Sequence, residues 1–309
     1  MKKTDDSLTS IIELGTDDEH ASVVNSKRMV KRKFYDKLFY RLCQSTIILA
    51  LIILVVLIAH ILISGLSWLS IDFFTNFTSR FAEQAGIKAA IAGSMWVLFL
   101  TASFAIPLGV SAAIFLEEYA PKSKWVEWVQ INIGNLAGMP SIVYGLVGLT
   151  VFVRYLNFER SLLAGSLTLA LLVLPIIIIS SQEAIKAVPL SLREAAYALG
   201  ARKWQVVFLQ VLPAALPGIL TGVILSVSRA IGETAPLIVI GALSFVAFTP
   251  GSIWDEFTVL PIQIYNWASK PQVEFHQLAA AAIIVLLVLL FAMNFLAIYL
   301  RQKYQRYKL

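Results

Sequence analysis

The stretch SQEAIKAVPLSLREAAYALGARKWQVVFLQVLP, residues 181–213, decides how the rest of the chain is read. It is a polar island between two strongly apolar segments. Pro189 has no amide donor and its ring clashes with the preceding turn, so a helix cannot run through it. Ser191 followed by Glu194 has the spacing of a capping box, which predicts a new helix from Leu192. Gly200 suits the left-handed position that ends such a helix about two turns later. Residues 202–211 can then form a second helix leading to Pro213 and Pro217. The expected product is a short amphipathic helix in a tight turn, held at a membrane surface by apolar spans on both sides.

The composition supports that setting. The chain of 309 residues is 58% hydrophobic and only 14% charged, with a positive mean hydropathy. Its apolar residues come in long blocks, and a block of about 20 spans a bilayer. An all-α integral membrane protein follows. A lone Cys43 excludes an internal disulfide framework and a Cys-rich metal site. His20, His60 and His276 are too scattered in sequence to suggest a ligand set, and no metal site is expected. No G-x-x-x-x-G-K-[ST] occurs, so the chain does not itself cradle ATP. G-x-S-x-G and H-E-x-x-H are also missing, which leaves a hydrolase without its parts.

Six apolar spans are expected, at 45–66, 89–116, 129–153, 161–180, 213–243 and 278–300. Ahead of them, residues 1–26 carry six acids and read as a flexible cytosolic tail. Residues 27–41 then reverse the sign, with seven Lys or Arg against one Asp. The division is thus a tail with its basic flank (1–44) and a six-span transmembrane domain (45–309). Six spans put both termini on one side. With that side cytoplasmic, 19 of the 25 Lys and Arg fall in inside segments. This is the positive-inside bias, and it puts residues 182–212 in the cytoplasm. It also accounts for the net charge of +6 through topology and lipid contact, without nucleic acid. Trp68, Trp125, Trp128, Trp254 and Trp267 fall near span ends, where interfacial anchors belong. Pro107 and Gly109 should kink span two. In span three, Gly134, Gly138, Ser141, Gly145 and Gly148 should permit close helix approach. The outside segment 247–277 is long enough to fold over the mouth of the bundle.

Span five holds Ser228-Arg229-Ala230-Ile231-Gly232-Glu233-Thr234-Ala235-Pro236. An ionised Arg inside a membrane segment is costly and faces the bundle interior with a partner. Glu233 is four residues on, within reach on the same helix face. Gly232 and Pro236 flank the acid, which predicts local unwinding there, as in transport-pathway helices. A guanidinium offers fixed donors to a tetrahedral oxyanion. The alternative is an Arg–Glu pair that neutralises itself and only fixes packing. Asn132 and Asn135 are further candidates for the pathway, with helix–helix hydrogen bonding as their alternative.

Two sets of residues resemble known proteins. Glu194-Ala195-Ala196, Gly200 and Leu212-Pro213 match the E-A-A-x3-G-x9-I-x-L-P signature of ABC-importer permeases, with Gln210 in place of Ile. The second set starts with Phe77-Thr78-Ser79-Arg80, Gly86-Ile87, Ile106-Pro107-Leu108-Gly109 and the run 116–121, LEEYAP. It continues with NLAGMPSIVYGL at 135–146 and Arg229 to Pro236. Together these are similar to PstA-type permeases of phosphate ABC importers, from about residue 70 to the C-terminus. The resemblance implies a type I importer bundle of six helices working by alternating access. It makes Ser191, Glu194, Ala195, Ala196 and Gly200 the element that couples to an ATPase. It makes Arg229 the anion-handling residue, with Glu233 and Thr234 beside it. The implied partners are a second related permease, two ATP-binding cassette subunits that hold ATP and Mg, and an extracytoplasmic phosphate-binding protein. Inorganic phosphate is the implied substrate, and the cytoplasmic membrane of a prokaryote the implied location. This chain would hold no cofactor and catalyse no reaction. A sulfate or molybdate ABC permease stays open as an alternative, as does a secondary anion transporter or channel.

Overall fold

The computed structural model describes residues 5–242 and 245–306, with side chains from residue 32 to 302 apart from 243, 244 and 300. Residues 1–60 and 61–309 are two compact units. The first is the greater part of helix α1 (Asp5–Gly65). This helix takes in the apolar block expected at 45–66 and also the stretch that composition reads as a flexible tail.

The second unit is built around α6 (Leu162–Lys186). Ser161 caps its start by accepting the Ala164 amide, and two further amides there, Leu162 and Leu163, bond the carbonyls of Asp255 and Ile253. The segment 247–277 therefore closes the helix end that would otherwise carry free donors. α6 runs on to Lys186, two turns into the polar island, before the chain turns at Pro189. It packs between α3 (Lys88–Ile114) and α9 (Leu212–Gly232). Small residues set those approaches. A Cβ on Gly109 would fall 2.6 Å from the Ile177 side chain, and one on Gly222 would fall 2.1 Å from Ser180 Oγ. Close backbone approach is how helices adhere in lipid, where no hydrophobic effect draws them together.

Span three is not one straight helix. α4 (Lys124–Ala137) and α5 (Ser141–Gly148), which continues as a π-helix over Leu149–Tyr155, meet at 105°. The break falls at Gly138-Met139-Pro140, where Pro140 removes a donor and disfavours a helical Met139. Tyr144 bridges it by donating its hydroxyl to the Leu136 carbonyl at 2.8 Å. The bent pair still crosses. Lys124 shares a surface cavity with Lys186 at one end of α6, while Tyr155 lies six residues from Ser161 at the other. Only the half beyond the break uses its glycines for packing. Gly145 and Gly148 press on Pro236 and Thr168, whereas a Cβ on Gly134 would meet nothing and one on Gly138 only ordinary contact.

Span five also departs from expectation. α8 (Lys203–Val206), a π-turn at Val207–Val211 and α9 form one continuous rod, so the loop's second helix and the span are a single element. Pro213 lies inside the rod, two residues past the π-turn, where the regular hydrogen-bond ladder is already interrupted. The rod ends at Gly232, and α10 (Ala235–Ile240) follows after a break. α12 (Val273–Arg306) is the last span.

The segment 247–277, expected to fold over the mouth of the bundle, packs into the core. α11 (Leu260–Ala268) buries Leu260, Pro261, Ile262, Gln263 and Trp267. Trp267 is 1% exposed, so it is a core residue packed beside Phe73 and not an interfacial anchor. Trp125 and Trp128 stack on the exposed face of α4. α2 (Ile71–Thr75) supplies Phe73 to the same cluster.

Candidate functional site

The depth of Arg229 follows from helix register. α9 runs antiparallel to α6, with Gly218 opposite Ala184 and Gly222 opposite Ser180. Further along, Glu233 shares a small cavity of about 20 Å³ with Leu169. Arg229 lies between these levels, near the middle of the 25-residue α6. Its Nε donates to Glu233 Oε1 at 3.2 Å, as the i,i+4 spacing predicts. The Arg229 side chain is 46% exposed and Glu233 15%. Neither Nη group of Arg229 has a protein partner among the described residues. The guanidinium is thus held by one edge, with its fork free.

The backbone around the acid is unwound as expected. Glu233 is extended (ψ 125°) and Thr234 returns toward helix, with the Glu233 amide bonded back to Ala230. Thr234 Oγ1 bonds only the Gly232 carbonyl, at 3.5 Å. Past the break, α10 is fixed: Pro236 presses on Gly145, and Gly241, at φ +90°, lies against Arg160. Tyr144 on α5 stands within electrostatic reach of Arg229. The structure therefore gathers Arg229, Glu233 and Thr234 at a helix break. The asparagines differ. Asn132 spends its amide on the Trp128 carbonyl of its own helix at 2.7 Å, and Asn135, exposed, makes no side-chain hydrogen bond among the described residues.

The polar loop forms α7 (Leu190–Ala198). Here the expected cap is wrong. Pro189 is the N-cap, its carbonyl accepting the Leu192 amide, so Ser191 falls inside the first turn, exposed, and forms no capping box with Glu194. Proline's fixed φ already sets the chain for helix entry, two residues earlier than a serine cap would. The end is as expected. Gly200 has φ +81°, its amide bonds the Tyr197 carbonyl, and the Ala201 amide bonds Ala196, a Schellman closure. Ala196 is buried, while Glu194, Ala195, Tyr197 and Leu199 face out, Leu199 at 89% exposure. The next element is capped by Gln205, whose side-chain oxygen accepts the Arg202 amide at 2.8 Å.

One residue at this end escaped the sequence reading. Arg193 donates Nη2 to Glu118 at 3.0 Å and to the Ile185 carbonyl at 2.9 Å, and Nη1 to the Val188 carbonyl at 2.9 Å. It pins α7 to carbonyls at and just past the end of α6 and to the π-turn at Phe115–Tyr119 after α3. Both charges are nearly buried, at 16% and 11% exposure. Glu118 lies 75 positions from Arg193, so no local spacing could have paired them.

This fold, with its apolar helices, a helix broken after Gly232 and a polar loop helix, has counterparts among known proteins. Residues 105–306 match the family described as binding-protein-dependent transport system inner membrane component. The chain belongs to that family, as an ABC-importer permease and a multi-pass protein of the cytoplasmic membrane. It is 36% identical over 264 residues to the phosphate transport system permease protein PstA of Haemophilus influenzae, covering 85% of this chain and 93% of that one. It is 34% identical over 279 residues to the probable ABC transporter permease protein YqgI of Bacillus subtilis, covering 85% and 94%. The fold is shared with a bacterial ABC transporter for the acidic polysaccharide alginate (TM-score 0.65, 17% identity, 89% of this chain and 99% of that one). It is shared also with the MetNI methionine transporter (TM-score 0.59, 19% identity, 71% and 97%).

Proposed function

We propose that the chain carries inorganic phosphate across the cytoplasmic membrane by alternating access, as one of two related permeases driven by two ATP-binding cassette subunits. An extracytoplasmic binding protein delivers the ion, and both termini face the cytoplasm. The observation that carries the reading is Arg229: a charge at mid-span, held by Glu233 through Nε alone, with its fork open on a face of this chain. A guanidinium with unspent donors suits a tetrahedral oxyanion in transit. Glu233 limits the net positive charge, so an anion can leave as well as enter. The PstA names of the relatives support phosphate over other oxyanions. At the other end, the outward face of α7, with Glu194, Ala195 and Leu199 around Gly200, is the surface offered to the ATPase. Ser191 belongs to this face by exposure, without a capping role. ATP and Mg belong to the ATPase subunits.

The test is ATP-dependent uptake by the complex reconstituted in liposomes, comparing phosphate, sulfate and molybdate. Phosphate uptake that needs both ATP and the binding protein is expected. Transport of sulfate or molybdate in its place assigns the other oxyanion, and uptake without ATP overturns the ABC reading.

A further inference from the structure

At the end of the bundle away from α7, a pocket of about 210 Å³ opens between the 78–79 segment and α11. It is lined by Thr78, Ser79, Gln263, Asn266 and Lys270 among others. Gln263, Asn266 and Lys270 are spaced i, i+3 and i+7, so α11 and the turn after it present them on one side. The polar groups here are unusually unspent. Gln263 is 1% exposed, and its Oε1 has no hydrogen-bond partner among the described residues. The Asn266 Nδ2 is also buried and without a partner. A buried donor or acceptor left unmade costs about 1–3 kcal/mol, so such groups are normally matched by a ligand or by water. Lys270 adds a positive charge, and burial holds its ammonium below the usual lysine range. Its Nζ lies 3.5 Å from the Phe275 ring centroid. The His276 Nε2 donates to the Lys270 carbonyl at 2.7 Å and fixes the turn. No carboxylate lines the pocket.

The geometry points to a second, outward-facing site that holds a protonated oxyanion, distinct from the Arg229 level. The donor set calls for an anion: Lys270 and Asn266 Nδ2 need acceptors, and the Ser79 hydroxyl beside them accepts the Phe81 amide and keeps its own proton to give, while the Thr78 hydroxyl is spent on the Val246 carbonyl. The buried Gln263 oxygen calls for something more, a donor from the ligand. Inorganic phosphate keeps at least one proton at neutral pH and so presents both P–O⁻ and P–OH. Sulfate keeps none, and would set its oxygens against the Gln263 oxygen. The pocket would thus select for phosphate at the mouth, before Arg229, whose donors alone cannot tell the two ions apart. This rests on the reading that the chain moves an oxyanion.

The experiment labels Lys270 in the assembled complex with an amine-reactive acylating reagent, read by peptide mass spectrometry. Phosphate, sulfate and chloride are compared at equal ionic strength, with exposed Lys122 as the internal control. Phosphate at about ten times its dissociation constant should slow Lys270 acylation about tenfold by mass action. Sulfate should not, and the Lys122 rate should stay constant. Gln263→Leu, which removes the acceptor and leaves an apolar side chain of similar size, should abolish the difference between phosphate and sulfate. Equal protection by the two ions, protection by neither, or a Gln263→Leu complex that still distinguishes them overturns the site. ATP-driven uptake by the same preparation separates the two readings. Uptake with Lys270 unprotected removes the pocket alone, and absent uptake removes the transport assignment.

Discussion

A guanidinium halfway across a bilayer is tolerated only when its charge is answered, and Arg229 is answered by one carboxylate oxygen. If the open fork contacts the anion, Arg229→Gln should lower phosphate uptake about ten- to hundred-fold, the equivalent of about 1.5–3 kcal/mol for a charged donor, in a complex that still assembles. A packing pair behaves differently: the single change strands Glu233, and Glu233→Gln added to it should restore the protein. Uptake in the single and double variants, with co-purification as the assembly check, separates the two. Recovery in the double variant would sink the contact role. This pair was legible in the sequence because helix geometry fixes which residues four apart can meet. Arg193 with Glu118 was not, nor was the pocket that Gln263 and Thr78 line together, since both join distant segments and rest on tertiary packing. The residues of the Phe77-Thr78-Ser79-Arg80 run could be marked as a resemblance, but not given a partner.

At the level of elements, turns were easier to read than helix starts. Gly200 was recognised because only its φ satisfies the closure, whereas Ser191 was misread because Pro189 caps α7 first. A Cβ at residue 200 would meet nothing within 4 Å, so the demand there is conformational alone. Gly200→Asn should therefore keep transport, because asparagine tolerates the left-handed region, while Gly200→Val should lose it. Uptake with the ATPase bound checks this, and a fully active valine variant would contradict it. Arg193→Met should do more damage, since it strands Glu118 and frees three hydrogen bonds. Breaking a buried pair from one side costs about 3–5 kcal/mol, so α7 should come away and the ATPase should fail to co-purify. The bend at Gly138-Met139-Pro140 went unread because an almost wholly apolar run has no periodicity to interrupt. Its glycines and proline were visible, but their direction was not.

For the whole molecule, apolar blocks and the Lys/Arg bias sufficed for six crossings, and the bent pair keeps that number because it ends opposite to where it begins. Reporter fusions within 185–205 and at the C-terminus should read cytoplasmic, and fusions near 75, 157 and 250 should read outside. A cytoplasmic signal near 250 would remove one crossing and put α7 out of an ATPase's reach. The burial of α11 lay beyond such reading, because hydropathy sees an outside segment of mixed composition and not the groove that receives it.

The unbroken helix from Lys203 to Gly232 makes the second helix of the loop and the arginine parts of one lever. Its far end is hinged: α10 is anchored to α5, while Glu233 sits in the unwound link. A stroke applied at the membrane surface would travel along about 39 Å of helix to Arg229 with little slack. The link would take up the motion, so the arginine can swing relative to its own counter-ion. The stroke and the release of the anion would then be a single mechanical event.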